Sequence, residues 1–196
     1  AHELGHALGL QHANGWECDT SSQAYPSCTS IEYANYFDVM GVFSGTGHYN
    51  AFNKEFLGWI PTSNIQTVNS SSTFTLAPLE TQTNQVQIVK IPVQKNADGS
   101  PKNYYYLEYR QPVGFDAFFP TNTYNGILIN WAQFPFAGAT QLLDAVPATG
   151  KNDFIDSVLE VGRTLNDNYF GISLTPVSKN SSGITVNYVS TPTACL

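Results

Sequence analysis

The sequence predicts an α+β chain in which residues 1–61 carry the zinc-site helix and a short final helix and residues 62–196 form an all-β, sandwich-like domain. Three observations predict it. His2 and His6 stand four apart, the spacing that places two side chains on one face of a helix. Asn50 to Trp59 carries an apolar helical stripe between a capping Asn and a Gly stop. Beyond Pro61 the apolar residues come in short alternating runs separated by Gly, Pro, Asn and Ser clusters.

Residues 1–10 read as the end of the first helix. Glu3 follows His2 directly and lies beside the histidine pair, where a carboxylate can address water at a metal without being a ligand. If the helix ran straight on, His12 would sit about 9 Å beyond His6 along the axis. Zinc–imidazole bonds are about 2.0–2.1 Å, so a straight helix could not bring all three histidines to one ion. The chain must turn back, and Gly9 is the residue able to do it, because glycine takes positive φ at little steric cost. Three imidazoles with an open fourth position describe catalytic rather than structural zinc. A histidine pair at this spacing is usually an ordinary surface or core pair. The H-E-x-x-H arrangement with a glycine and a third histidine is far harder to reach by chance.

The run His2-Glu3-Leu4-Gly5-His6-Ala7-Leu8-Gly9-Leu10-Gln11-His12 resembles the long zinc signature of the metzincin metallopeptidases. That clan also carries a tight turn with a methionine beneath the zinc, and Tyr36-Phe37-Asp38-Val39-Met40-Gly41 holds the chain's single methionine. The combination is most similar to the gametolysin family and its bacterial secreted relatives. Tyr105-Tyr106-Leu107-Glu108-Tyr109-Arg110-Gln111-Pro112 resembles the β-rich tail of those proteins and of immune-inhibitor-A-type peptidases.

The resemblance implies that residues 1–61 are the C-terminal part of a zincin catalytic domain, made of the zinc helix, the Met-turn and a short final helix. The N-terminal half would precede Ala1, so the chain looks like a fragment. It implies a zinc-dependent endopeptidase of extracellular proteins, with one catalytic Zn2+ on His2, His6 and His12 and with Glu3 activating the bound water. Met40 would form a hydrophobic floor under the ligands; by itself it would read as a core methionine. Asp38 either orients a ligand histidine or caps its own turn, and capping is the simpler reading. Some metzincins place a metal-reaching tyrosine two residues after the methionine. Val42 stands there, so no tyrosine ligand is implied, and His48 reads as structural or surface.

Residues 13–35 read as a long loop, from turn signals at Asn14-Gly15, Asp19 to Ser22 and Pro26-Ser27. Cys18 and Cys28 bracket it, and a local disulfide suited to an oxidising compartment competes with a pair of reduced thiols. Cys195 either pairs outside this chain or is free. Asn14, Glu17 and Asp19 offer oxygens that Ca2+ favours, but their spacing matches no calcium loop and solvation is the reading. Asp144, Asp153, Asp156 and Asp167 likewise read as solvated surface, with calcium the alternative.

The second helix runs from an Asn50 N-cap to a Gly58 stop, with Phe52, Phe56 and Leu57 on one face. Ile60-Pro61 breaks the pattern and marks the boundary. Strands are expected at Thr73–Leu76, around Lys90, over Tyr104–Tyr109 and Gly126–Trp131, and at Ile172–Leu174 facing Ile184–Val186. A short helix is expected from Asp153 to Val161. Asn69 and Asn180 open N-glycosylation triplets that chance alone explains in a chain this rich in Asn and Ser.

Composition removes whole classes of function. Fifteen acids against eight bases give a net charge of −7, which argues against nucleic acid as a partner, since binding phosphate takes clustered bases. No apolar run approaches the roughly 18 residues of a membrane span. The expected partner is a protein or peptide substrate, and the expected location is secreted. The competing reading is a β-sandwich binding or structural module that carries an inactive zinc-site remnant.

Overall fold

A computed structural model describes residues 1–18, 28–41, 47–135, 138–146 and 153–191. Helix α1 spans His2–Ala7 and helix α2 Ala51–Phe56. Both are too short to persist alone and both end the same way. Gly9, at φ 92°, follows α1. Its N–H donates to His6 O, and Leu10 N–H reaches back to Gly5 O. Gly58, at φ 68°, follows α2, where Gly58 N–H donates to Glu55 O and Trp59 N–H to Lys54 O. These are Schellman closures, and in each a glycine accepts the left-handed backbone that a Cβ would oppose. The expected Asn50 cap is present, its side chain accepting from Asn53 N.

The remaining elements are strands. Strands β1 (Ala13–Cys18) and β2 (Cys28–Ile31) form a hairpin, and β3 (Ile65–Thr67), β5 (Ile88–Lys95), β6 (Pro101–Tyr109), β7 (Gly126–Ala132), β8 (Thr140–Leu143) and β9 (Leu159–Glu160) join them in one sheet. Its order is β2-β1-β8-β7-β6-β5-β3, with β9 paired to β7. The contacts β1–β8 and β3–β5 are parallel. A second, antiparallel sheet orders β10 (Leu165–Asp167), β11 (Ile172–Asn180), β12 (Gly183–Ser190) and β4 (Ser72–Leu76). Both sheets feed one core, where Val89, Tyr105, Leu107 and Ile129 meet Leu76, Leu174, Ile184 and Val186.

This overturns the α+β fold-class expectation of a zincin catalytic-domain end followed by a sandwich-like domain. The described chain is predominantly β-sheet with two six-residue helices. The physical reason lies in β1. Asn14-Gly15 signals a local turn, yet the segment is buried along most of its length and pairs with β8, Ala13 opposite Thr140 and Trp16 opposite Leu143. A partner so far along the chain leaves no local trace. The expected helix at 153–161 is also absent, replaced by a turn closed by Ser157 N–H on Phe154 O and then by β9. Ile172 and Ile184 do lie on paired strands, but Ile172 stands opposite Ser190 and Ile184 opposite Lys179.

Candidate metal centre

Helix α1 carries His2 and His6 on one face, their ring centroids 4.8 Å apart. The reversal at Gly9 buries Leu10 and returns the chain, so that His12, just before β1, lies 5.6 Å from His2 and 5.0 Å from His6. One ring nitrogen from each histidine falls within 4.8 Å of the others, and all three side chains are half-buried. Among the described residues no other three His, Cys, Asp or Glu side chains gather this way.

The outer nitrogens are all engaged. His2 Nδ1 is 2.8 Å from Val39 O, His6 Nδ1 is 2.9 Å from Leu10 O, and His12 Nδ1 is 2.8 Å from Glu32 Oε1. Each acceptor is an oxygen, so each Nδ1 carries the proton and each Nε2 keeps a lone pair. One tautomer is thereby fixed on all three rings, the arrangement that metal-binding histidines require. Three neutral imidazoles suit a borderline divalent ion such as zinc better than a hard ion such as calcium.

The turn bearing Met40 is the platform under this cluster. Gly41 N–H donates to Asp38 O at 2.9 Å, and Asp38 Oδ1 accepts from Met40 N at 2.6 Å. Val39 O holds His2, and Met40 O accepts from Ala13 N, beside His12. Two of the three histidines are therefore positioned by adjacent carbonyls of one turn. Met40 is fully buried directly against α1: a Cβ on Gly5 would collide with its Sδ. Tyr49 adds a brace by donating its hydroxyl to Ala1 O at 3.1 Å.

Asp38 contacts no histidine. Its second oxygen accepts from Asn50 N at 2.6 Å and from Asn53 Nδ2 at 3.1 Å, so it ties the turn to the start of α2. Burial pushes its carboxyl up to about 6, against the lowering effect of the two backbone donors. Behind the turn, the buried Arg110 guanidinium donates to Phe37 O and Tyr49 O while paired with Glu108 and Asp116. Glu3 is exposed on α1, one position after His2 and about 100° around the helix. His48 stays outside the cluster. It is half-buried, and burial, then the nearby Lys54 charge, pushes its ring down to about 4.

Two neighbours of the cluster escape a sequence reading, Glu32 and Tyr33. Both follow β2, and the β1–β2 hairpin brings them back to His12. The Tyr33 ring lies 4.0 Å from His12 and 6.0 Å from His2, with its backbone at φ 63°. That left-handed geometry is costly for a bulky residue, and Tyr33 N–H is secured by Asn14 Oδ1 at 3.0 Å. No motif marks either residue; the signal is the hairpin itself. Cys18 and Cys28 form a disulfide across that hairpin. Asp19, Val42 and Cys195 lie outside the described residues, and among those described no helix is long and apolar enough to cross a membrane. The chain matches no protein-family model, no curated protein and no solved structure.

Proposed function

We propose that this chain is a zinc-dependent peptide hydrolase. The observation that supports it best is the common tautomer of His2, His6 and His12, which leaves three Nε2 lone pairs for one ion. Zinc held there supplies a Lewis acid for a scissile carbonyl and lowers the pKa of water toward neutrality. Glu3, exposed beside His2, takes a proton from the attacking water and returns it to the leaving amine as the peptide bond breaks. Met40 and Asp38 do no chemistry; Met40 O holds the start of β1, and the Asp38 carboxylate fixes the turn whose Val39 O holds His2. The Cys18–Cys28 disulfide suits an oxidising compartment, which favours a secreted enzyme acting on extracellular proteins.

The test combines zinc stoichiometry with hydrolysis of unfolded casein. The expected result is one zinc per chain, lost with His6→Ala, and hydrolysis abolished by Glu3→Gln while zinc is retained. A Glu3→Gln protein that keeps both zinc and full hydrolysis refutes the assignment of the base. A chain that binds no zinc refutes the proposal as a whole.

A further inference from the structure

Between the end of α2 and the connection from β4 to β5 lies an open cleft of about 570 Å³. Ile60 and Leu79 give it a buried apolar lining, and Trp59 and Phe115 add two aromatic rings. Trp59 is 54% exposed and Phe115 59%, although each is braced from one side. The Trp59 ring lies 5.5 Å from that of Tyr49, and the Phe115 ring 5.5 Å from that of His48. A concave site with aromatic walls and a few placed polar groups is the usual form of a small-molecule site.

Lys54 is the only Lys or Arg lining this cleft, and it is just 6% exposed. Its Nζ donates to Leu79 O at 2.9 Å and, among the described residues, joins no ion pair. An ammonium group carries three N–H donors, so two remain. The carboxylates of the neighbourhood are already engaged. Arg110 pairs with Glu108 and Asp116, which also accept from Ala51 N and His48 N. Glu80 lines the same cleft, but burial pushes its carboxyl up to about 8, so it is mostly uncharged at neutral pH. Burial, then the Arg110 charge, pulls the Lys54 amine down to about 8 against the more distant acids, which still leaves it mostly protonated. A buried ammonium without a counter-ion beside it is costly, and a ligand that brings one relieves that cost.

We propose that this cleft binds a small carboxylate carried on an apolar or aromatic group, with Lys54 Nζ as partner of the anion and Trp59 and Phe115 flanking the apolar part. A single compact cation suits a monoanion; a phosphate dianion is better served by several positive groups. A peptide ending in an aromatic residue and a free aromatic acid share this chemistry. The site is separate from the three histidines and does not depend on zinc.

Isothermal titration of the full chain at pH 7 with N-acetyl-phenylalanine, phenylacetate and phenylacetamide tests it, the amide keeping the ring and losing the charge. Both acids are expected to bind roughly tenfold or more tightly than the amide, the worth of a charge-assisted hydrogen bond. Tighter binding of N-acetyl-phenylalanine than of phenylacetate identifies a peptide terminus as the ligand, and equal or weaker binding a free aromatic acid. Lys54→Met, similar in length and uncharged, removes the preference for acid over amide and binds zinc as the wild type does. Trp59→Ala, at an exposed position, weakens both acids and serves as the second variant should Lys54→Met fail to fold. Three results overturn the proposal: a wild type that does not distinguish acid from amide, a folded Lys54→Met that still does, which would place the anion on the zinc, or a Trp59→Ala protein with wild-type affinity for the acids.

Discussion

Met40 Sδ fills the space into which a side chain on Gly5 would project. Gly5 sits on α1 between the two histidines, so the methionine-bearing turn approaches the helix as closely as a residue without a Cβ allows. Met40 is fully buried and Tyr49 Oη closes the same space, so neither can move aside freely. Gly5→Ala is therefore expected to destabilise the fold by about 1–3 kcal/mol, the usual cost of forcing a methyl into a packed core. Urea unfolding measures it. Because helix propensity alone would make this substitution stabilising by about 1 kcal/mol, a neutral or stabilised variant would show that the turn does not seat against α1.

Glu32 holds His12 from the exposed side, at 2.8 Å, with its own side chain 66% exposed. An exposed pair of this kind contributes under about 1 kcal/mol to folding. Partners of metal-binding histidines matter more for the metal, and losing one typically lowers affinity 10–100-fold. Glu32→Gln, which still offers an acceptor but no charge, is expected to weaken zinc binding by about tenfold and to leave zinc-free stability unchanged. Competition with a chromogenic chelator reads the first and urea unfolding the second. Wild-type zinc affinity in the variant would mean that the carboxylate is a bystander.

His48 gives the fold an acid-side liability. Burial holds its ring down at about 4, against 6.5 in an unfolded chain. Below pH 6.5 the unfolded state takes up a proton that the folded state refuses, so stability is lost as pH falls toward 4. The full shift would correspond to about 3 kcal/mol, and half-exposure of the ring reduces it to about 1–2 kcal/mol. Asp38, raised to about 6, titrates in the opposite sense and favours the folded state as pH falls. It is common to wild type and variant, so the difference between wild type and His48→Gln isolates the histidine. Unfolding at pH 7 and pH 4 should show the variant losing about 1–2 kcal/mol less. Equal losses would place the imidazole in contact with water.

The parts legible in the sequence are those whose cause is local. Gly9 and Gly58 had to be turns because their neighbours were helical, and Asn50 had to be a cap because its side chain reaches only its own next turn. The histidine cluster belongs here too, since its three members lie within eleven residues. What the sequence hid is long-range pairing. β1 reads as a loop because Asn14-Gly15 outweighs a strand that also pairs with β8, Ala13 standing opposite the distant Thr140. Glu32 and Tyr33 reach His12 only through the β1–β2 hairpin, and Val39 reaches His2 through a carbonyl, which has no sequence identity at all.

The Cys18–Cys28 disulfide joins the β1–β2 hairpin at the end where the chain passes from one strand to the other, with Glu17 opposite Thr29 and Gly15 opposite Ile31 between it and Glu32. Closing a loop of this length removes about 3 kcal/mol of unfolded-state entropy. The double variant Cys18→Ser, Cys28→Ser should therefore melt roughly 6–12 °C lower, at about 2–4 °C per kcal/mol for a chain of this size. Zinc affinity should fall by less than in Glu32→Gln, because the intervening strand pairs and the Tyr33 N–H to Asn14 bond still return residues 32 and 33 to His12. Measuring both separates the clamp from the ligand shell. If the double variant loses zinc as completely as His6→Ala does, the hairpin is not a strand pair held by its own register, and the covalent link alone keeps Glu32 at His12.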